Sequence, residues 1–385
     1  MKTMKLGSVA SIERRGVDPE MLAGDTRYLG LEHIERGGRI VGRETVHTAG
    51  VSSTKFKFSP KHVLYGKLRP NLGKIARPEF PGVCSTDILP ILPGPEIDRD
   101  YLAHFLGQSD MVKFAASRAS GANLPRISPE SLLAFDIPLP PIMEQRRIAA
   151  ILDRLDRIVR LRIEVIELMD ELVRALYLQT FERGTVWPRV TLLSLARSQN
   201  DIKCGPFGTQ LQVSEFRPRG VPVVGIKNVN TGFELPPFEF VDKDTAERLE
   251  SYDLVPGDIV MTRKGTIGNC ARYPSSMEPG IMHSDLLRLR VDETIVGVDF
   301  LVKHLQMSPR VSRQIAQMSP GAVMPGINVT KLKALEVDYP PLNLQEKFSA
   351  QVEGISQQRT TAIRALAVAK ELRSSLQARA FTGGL

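Results

Sequence analysis

Two turn-rich basic segments, at corresponding places in the two halves of the chain, could contact nucleic acid. They are GKLRPNLGKIAR (66–77) and TRKGTIGNCAR (262–272). Arginine and lysine supply phosphate contacts, asparagine and threonine reach base edges, and glycine permits close backbone approach. A solvated β-turn would have a similar composition, but the recurrence favours a loop that touches DNA. The candidates here are Lys67, Arg69, Asn71, Lys74, Arg263, Lys264, Thr266, Asn269 and Arg272.

Further polar side chains lie in turns that contain glycine or proline. In CGPFGTQLQ (204–212), glycine and proline would position glutamines, which can bond adenine bidentately but are equally common in turns. Each half also has a glycine-containing segment, 118–126 and 318–328, and the second includes Met318 and Met324. The further DNA-contact candidates are Arg118, Asn123, Arg126, Lys203, Thr209, Gln210, Gln212, Lys227, Asn228 and Asn328.

The overall charge suits an acidic partner without identifying one. The 385 residues include 51 Lys and Arg against 43 Asp and Glu, which gives a formal net charge of +8. For a chain of this size the excess is modest, so charge alone favours nucleic acid only slightly. The prediction of DNA binding therefore depends on the basic turns.

Motifs that would indicate an enzyme are missing from the sequence. It has no GxxxxGK[ST] phosphate loop, no HxxxH pair among its 6 histidines and no GxSxG elbow. The nearest approach to an amino-methyltransferase tetrapeptide is DYPP (338–341), in another order and before a helix, and the nearest approach to a nuclease E-x-K is DIK (201–203). We therefore expect no catalytic residue, no metal and no cofactor.

The cysteines and the hydropathy of the sequence indicate in which cellular compartment the protein acts. Cys84, Cys204 and Cys270 are odd in number and far apart, which disfavours a disulfide framework or a CxxC-type zinc site. No stretch approaches about 18 uninterrupted apolar residues, and the first residues do not resemble a signal peptide. These features predict a soluble protein of the cytoplasm.

The second half of the chain echoes the first at a nearly constant offset of 200 residues. SGANLPRISPESLLAFDIPLPP (120–141) resembles SPGAVMPGINVTKLKALEVDYPP (319–341). The alternative is chance similarity between helices of like composition, but glycines and prolines aligned at one fixed offset disfavour it, so we infer two copies of one module. The offset pairs Gly121 with Gly321, Pro125 with Pro325, Ile127 with Ile327, Gln145 with Gln345, Leu176 with Leu376 and Phe181 with Phe381.

Each module ends in a stretch that predicts a long helix. The residues 142–183 contain no proline or glycine, and apolar residues recur at heptad spacing there and, more weakly, after 342. Since neither apolar seam can stay in water, we expect the two helices to pair antiparallel, although each could instead pack on its own module. The predicted pairing residues are Ile148, Ile151, Leu155, Ile158, Val165, Met169, Leu172, Leu176, Phe348, Ile355, Ala362, Ala369 and Leu376.

The helices and strands that must position the candidate DNA-contact residues predict a fold of the α+β class. Short β-type runs (VPVVGIKNV, GDIVMTRK and DILPILP) mix with turns and with a helix near 99–118 or 298–317. The expected domains are a first module (1–141), a central helix (142–184), a second module (185–341) and a C-terminal helix (342–385).

The arrangement resembles the specificity (S) subunit of Type I restriction-modification systems. The motifs that carry the resemblance are PLPPIMEQRRIAAILD, YPPLNLQEKFSAQVE, GPFGTQL, DIVMTRKGTIGNCA and the helix ends LYLQTFERG and LQARAFTGG. They extend over nearly the whole chain. Each motif alone is moderately specific for this family, whereas the order, the duplication and the spacing of the motifs are strongly specific for it. One departure is that Glu144-Gln145 follows the first Pro-Pro, but Leu344-Gln345-Glu346 follows the second.

The resemblance implies a non-catalytic subunit with two similar α/β target recognition domains held apart by two long antiparallel helices. Each domain would read one half of a split target in double-stranded DNA. The helices would dock two methylation subunits, which bind S-adenosylmethionine, and restriction subunits, which use ATP, would join later. The alternative is a coiled-coil adaptor that joins protein partners without reading DNA.

Overall fold

The protein, here a computed structural model, is described over residues 2–42, 44–318 and 326–384. Gly321, Met324 and Pro325, which the repeat match and one candidate segment include, lie outside the described residues. The chain forms two compact units: the first comprises 1–164 with 363–385, and the second comprises 165–362.

The first unit mixes short strands with short helices. Its strands are β1 (Thr3–Lys5), β2 (Ala10–Ile12), β3 (Gly16–Val17), β4 (Tyr28–Leu29), β5 (Lys55–Phe58), β6 (Val63–Gly66), β7 (Ile75–Ala76), β8 (Gly82–Cys84), β9 (Ile88–Pro93) and β10 (Asp136–Pro138). Its helices are α1 (Leu6–Val9), α2 (Arg99–Leu106), α3 (Ser109–Ser117), α4 (Pro129–Leu133) and the first part of α5 (Ile142–Tyr177).

These strands form two four-stranded sheets and one small pair. One sheet has the order β2-β9-β6-β7 and is antiparallel throughout. The other has the order β3-β5-β8-β4, in which β4 runs parallel to β8 and the other pairs are antiparallel. β1 pairs with β10 just before α5 begins.

The second unit is built from the same kinds of element. Its strands are β11 (Arg189–Thr191), β12 (Ile202–Cys204), β13 (Val221–Val224), β14 (Glu239–Val241), β15 (Asp253–Leu254), β16 (Ile259–Thr262), β17 (Cys270–Arg272), β18 (Gly280–Met282), β19 (Leu286–Leu289) and β20 (Glu336–Asp338). Its helices are α6 (Leu192–Leu195), α7 (Ile226–Asn230), α8 (Lys243–Arg248), α9 (Val298–Met307), α10 (Pro309–Gln317), α11 (Val329–Lys333) and the first part of α12 (Leu342–Thr382).

The two units share their sheet topology. The order β12-β19-β16-β17 reproduces the antiparallel sheet of the first unit. In the other sheet, β13 runs parallel to β18 while β15 is antiparallel to it, as β4 and β5 are to β8. The edges differ, because β3 lies beside β5 in the first unit and β14 beside β13 in the second. The prediction of an α+β fold with two similar modules is therefore confirmed.

Three predicted elements differ in detail. The run VPVVGIKNV is a strand only as far as Val224, and its second part forms α7. The helix expected near 99–118 is divided into α2 and α3 at Gly107. The helix expected near 298–317 is likewise divided at Pro309, whose ring lacks the N–H that would continue the hydrogen-bond ladder.

The last turns of one long helix lie in the main core of each unit. In the first unit, Leu89 and Ile148 belong to the buried core, and Phe381 of α12 packs on Tyr101 and Phe105 with ring centroids 5.0 and 5.6 Å away. This places the end of α12 in the core of the first unit.

The second unit repeats this arrangement with the helices exchanged. Phe181 lies in the π-helical turn Leu178–Glu182 that follows α5. It packs on Phe300 and Phe348, with ring centroids 5.0 and 5.1 Å away. Thus α5 begins in one core and ends in the other, and α12 does the reverse.

The two copies of the Pro-Pro motif use the same buried glutamine. The side chains of Gln145 and Gln345 are fully buried, and each accepts a hydrogen bond from a backbone N–H, of Asp98 at 2.8 Å and of Gly297 at 2.9 Å. Each also donates to the carbonyl of the proline five residues earlier, at 2.8 Å in both cases. The departure in the flanking residues therefore leaves the start of both helices alike.

Within each unit the two long helices contact each other. In the second unit, Arg359 Nε lies 2.8 Å from Asp170 Oδ1. In the first unit, Arg373 of α12 pairs with Asp156 of α5, and Gln377 of α12 also donates to the backbone carbonyl of His104 on α2 at 3.2 Å. The predicted antiparallel pairing of the helices is confirmed. No helix of the described residues has the length and apolar character that crossing a bilayer would need.

The structure places the predicted pairing residues in two different environments. Ile158, Val165 and Leu172 are 42%, 44% and 54% exposed. On α5, the positions three residues before and one residue after each of these three form the stripe that faces α12. The three residues themselves therefore lie outside the buried seam. The buried or half-buried predicted residues are Ile148, Ile151, Leu155, Met169, Leu176, Phe348, Ile355, Ala362, Ala369 and Leu376.

Candidate nucleic-acid interface

In the first unit, the loop between β6 and β7 is joined by backbone bonds to two neighbouring segments. The N–H of Lys67 donates to the carbonyl of Asp87 at 2.9 Å, and Lys67 in turn accepts from the N–H of Ile127 at 3.1 Å. The N–H of Arg69 donates to the carbonyl of Pro125 at 2.7 Å. The structure thus brings together two of the segments that the sequence singled out.

Arg69 occupies an unusual backbone conformation at the point where this loop turns. Its φ is 49° and its ψ is 62°, in the left-handed region, and it precedes the 3-10 turn Pro70–Leu72. For a non-glycine residue this geometry costs of the order of 1 kcal/mol or more, and such strain is concentrated at functional sites. Arg69 and Asn71 are exposed. Within the described part of the chain, no ion pair or hydrogen bond engages the side chain of Arg69 or of Lys67.

Two predicted DNA contacts of the first unit also bind groups of the protein itself. Lys74 Nζ donates to the backbone carbonyl of Leu31 at 2.7 Å. Arg126 forms a bidentate pair with Asp87, with Nε 2.9 Å from Oδ1 and Nη2 3.2 Å from Oδ2. Lys74 and Arg126 are therefore already occupied, which the sequence did not indicate.

The remaining candidates of the first unit lie near the end of α3. The guanidinium of Arg118 lies over the ring of Phe114, 5.0 Å from its centroid. Asn123 is exposed in the segment joined to Arg69. Val112, also on α3, is the nearest contact that a side chain at Gly73 would make, at 3.4 Å. α3 and the hairpin loop are therefore close neighbours.

In the second unit, the loop between β16 and β17 makes the same backbone hydrogen bonds at equivalent positions. The N–H of Arg263 donates to the carbonyl of Asp285 at 3.0 Å, and Arg263 accepts from the N–H of Ile327 at 3.2 Å. Arg263 thus takes the place of Lys67. Its guanidinium donates to Cys204 Sγ at 2.9 Å and lies 5.3 Å from the ring centroid of Phe207.

Several other cations and amides of this loop have partners in the protein. Lys264 Nζ lies 2.8 Å from Asp285 Oδ1, and Arg272 pairs with Asp299 at 2.8 Å. The amide of Asn269 donates to Asn230 Oδ1 on α7 at 2.8 Å. Thr266 is exposed beside them. Between this loop and the helices α9 and α10 lies a cleft of about 510 Å³.

The candidates in and before CGPFGTQLQ have mixed roles. Gln210 Oε1 accepts from the N–H of Phe207 at 2.9 Å, so its amide holds the loop together. Lys203 lies 4.5 Å from the ring centroid of Tyr252, and burial, with the nearby charge of Arg288, lowers the pKa of this lysine. Among the candidates of this segment, Thr209, Gln210 and Gln212 are exposed.

Two of the predicted asparagine contacts are structural. Asn228 is only 3% exposed; its side chain accepts from the N–H of Gly225 at 2.9 Å and donates to the carbonyl of Leu235 at 3.1 Å. The prediction that Asn228 touches DNA is therefore wrong, because its amide caps α7. Asn328 caps α11 by accepting from the N–H of Lys331 at 2.8 Å. Lys227 is exposed on α7.

The sequence reasoning missed three residues of this surface. Phe207 is 58% exposed next to Arg263. The signal available in the sequence was a large aromatic residue in a turn that has glycines on both sides. Asp87 and Asp285 are the last residues of the aligned segments STD and HSD, but their partners are distant in sequence.

Two similar units with mixed sheets and long antiparallel helices form a fold that is also found in a solved Type I S subunit. The crystal structure of a Type I restriction-modification system S subunit from M. genitalium has this fold, with a TM-score of 0.62 at 16% identity over 99% of this chain and 96% of that one. Residues 1–168 match the family described as Type I restriction modification DNA specificity domain.

Two curated relatives are similar over part of their length. The EcoDI specificity subunit of Escherichia coli is 31% identical over 153 residues, which are 40% of this chain and 34% of that protein. The MjaVIII specificity subunit of Methanocaldococcus jannaschii is 23% identical over 263 residues, which are 63% of this chain and 60% of that protein. The chain therefore spans about a third and three fifths of these relatives. The predicted resemblance to Type I specificity subunits is confirmed.

Proposed function

We propose that the chain is a non-catalytic DNA sequence-specificity subunit of a Type I restriction-modification system and acts in the cytoplasm. Each unit would read one half of a split target in double-stranded DNA. The observation that carries the proposal is the equivalent hairpin loop, with Lys67 and Arg263 in the same backbone register, in both units of the fold. In this proposal 1–141 and 185–341 are the target recognition domains, and 142–184 and 342–385 are the helices that hold them.

Recognition by two readers has a physical advantage. One good bidentate contact discriminates against a wrong base by about 1–3 kcal/mol, which is too little for one small module that must compete with a whole genome. When two readers are held in one chain, the second binds at a high effective concentration, so their discrimination multiplies.

The outer face of α5 supports docking of protein partners. Apolar residues recur along it at intervals of three and four residues, the spacing of a second helix-packing seam. All of them are large and at least 42% exposed. We propose that this seam receives the two methylation subunits, and that restriction subunits join the full complex. The residues are Ile158, Leu161, Val165, Leu168 and Leu172.

The proposal is tested by producing the chain together with the methylation subunit of its system and sequencing the host DNA for methylated adenines. We expect modification within two short motifs separated by unspecified bases, and none with the methylation subunit alone. A single contiguous motif would contradict the assignment of two readers.

A variant of the hairpin loop separates this proposal from the adaptor alternative. Because Lys67 and Arg69 are in the loop and their side chains make no ion pair or hydrogen bond within the described chain, their joint replacement by Ala should leave the fold intact. DNA affinity should fall, and the slope of log K against log salt should become shallower by about two, one for each lost phosphate contact. The measurement is a salt titration of duplex binding.

The matched control is Lys57→Ala with Lys61→Ala, which removes the same charge from two exposed positions of the same unit. An adaptor that does not read DNA would respond equally to both double variants.

A further inference from the structure

In both units an aspartate bonds to the hairpin loop, which lies between β6 and β7 or between β16 and β17 and is called the reading loop below. In the first unit, the carbonyl of Asp87 accepts from Lys67, and in the second the carbonyl of Asp285 accepts from Arg263. The two aspartates therefore occupy equivalent backbone positions, just before β9 and β19. Their side chains are 27% and 24% exposed, so solvent screens them only in part.

Each of these carboxylates holds a cation of the reading surface. Asp87 binds Arg126 through two hydrogen bonds of 2.9 and 3.2 Å. Asp285 lies 2.8 Å from Lys264. A partly buried carboxylate that faces a cation in this way fixes the cation's position and reduces its charge toward a DNA phosphate.

The cation has a different origin in the two units. Arg126 comes from the segment before α4, and the residue 200 positions later is Gly326, which has no cationic side chain. In the second unit the cation is Lys264, from the hairpin loop itself. The pairing is therefore present twice although the residue that supplies the charge has changed, which indicates a requirement for the pair rather than for one arginine.

We propose that Asp87 and Asp285 are positioning residues that set the sequence discrimination of their own unit. Each carboxylate fixes one cation beside its reading loop, and each keeps that cation away from phosphates. This inference rests on the proposed function, since it concerns how the two readers distinguish one DNA sequence from another.

The physical reason is that phosphate contacts strengthen binding to every sequence, whereas base contacts strengthen binding to one. A cation released from its carboxylate adds affinity for unrelated DNA. The segment that carries this cation, which is the segment before α4 in the first unit and the hairpin loop in the second, also loses a contact that fixes the geometry needed for base contacts. Both changes lower the ratio of specific to non-specific affinity.

The test uses the full chain with Asp87→Asn or Asp285→Asn, which preserves side-chain shape and removes the charge. The probes are a fixed 30-base-pair duplex and a pool of duplexes with a randomised core, from which bound sequences are selected and read. Asp25→Asn and Asp244→Asn are the matched controls, because both aspartates are exposed and removing them changes the net charge equally.

We expect Asp87→Asn to bind the fixed duplex more tightly and to lose about tenfold in discrimination within one half of the selected motif only. Asp285→Asn should do the same in the other half, and the controls should leave both halves of the motif unchanged. Equal loss in both halves, or unchanged selectivity with intact folding, would overturn the inference.

Arg126→Gln provides a second route if Asp87→Asn fails to fold. It removes the cation and leaves the carboxylate, so discrimination in the first half should fall without a rise in non-specific affinity. Unaltered discrimination in this variant would also overturn the inference. Failure of the unaltered chain to select any motif would instead count against the proposed function.

Discussion

Phe207 presents a large aromatic surface to solvent beside a guanidinium. Since its ring is 58% exposed and Arg263 lies 5.3 Å from the ring centroid, it can stack on a base while Arg263 remains close to the phosphates. We expect Phe207→Ala to weaken duplex binding by about 1–3 kcal/mol, the usual contribution of one aromatic–base stack, and Phe207→Tyr to retain most of it. The measurement is fluorescence anisotropy with a labelled duplex.

Phe238 offers a control for this prediction, because it is 60% exposed in the same unit and directly precedes β14, which belongs to the other sheet. An equal loss of affinity in Phe238→Ala would show that exposed aromatic area, rather than the place of Phe207, is responsible.

At the residue scale, the sequence predicted the location of the basic loops better than the roles of their side chains. Lys67 and Arg69 stand in turns that the sequence itself identifies. Arg126 is paired with Asp87 from 39 positions away, and no local pattern shows that pair. Asparagine is usually a surface residue, but Asn228 is buried. It can be buried because its side-chain amide forms hydrogen bonds where it caps α7.

At the element scale, His304 joins α9 to the end of α5 and to β20. Its Nδ1 lies 2.9 Å from the hydroxyl of Tyr177, and its Nε2 accepts from the N–H of Asp338 at 3.2 Å. Burial, together with the nearby charge of Arg310, lowers the pKa of His304 to about 4. A protonated ring could not accept the bond from Asp338.

This pKa predicts acid sensitivity of the second unit. Because the folded-state value lies below the unfolded value of about 6.5, the unfolded chain takes up the proton first. The stability that depends on neutral His304 is complete above about pH 6.5 and is lost as the pH falls toward 4, by about 2–3 kcal/mol. Urea unfolding at pH 7 and pH 4.5 measures the loss. His304→Gln should flatten it, whereas the same change at exposed His47 should not.

The element boundaries show why some local structure escaped prediction. Heptad spacing and the absence of proline identify α5 well, because a long amphipathic pattern is a strong signal. The same pattern does not distinguish which of the two apolar faces meets α12. It therefore predicts Ile158, Val165 and Leu172 in the seam, although they are exposed. Only the partner helix decides between the faces.

At the scale of the whole molecule, Phe381 and Phe181 are equivalent residues that complete different units. We expect Phe381→Ala to destabilise the first unit and Phe181→Ala the second, each by about 3 kcal/mol, the usual effect of truncating a buried phenylalanine. Hydrogen exchange, resolved by peptide, measures each unit separately. Loss of protection in the unit that contains the other phenylalanine would contradict the assignment of the cores.

The repeat alone predicted the two modules and their two helices, but not which helix end completes which core. The offset of 200 residues makes Phe181 and Phe381 equivalent without saying where either one packs. That information lies in contacts between residues about 280 positions apart, such as Phe381 and Tyr101, and no local pattern carries it.

The placement of Phe381 has a consequence for synthesis on the ribosome. Everything that builds the second unit lies in one continuous stretch, 165–362, whereas the first unit must wait for residues from 363 onward. At about 5–20 residues per second, that wait lasts roughly 10–40 s. The N-terminal unit is therefore the later one to mature, and its open apolar surface is where a chaperone or a protease would meet the nascent chain.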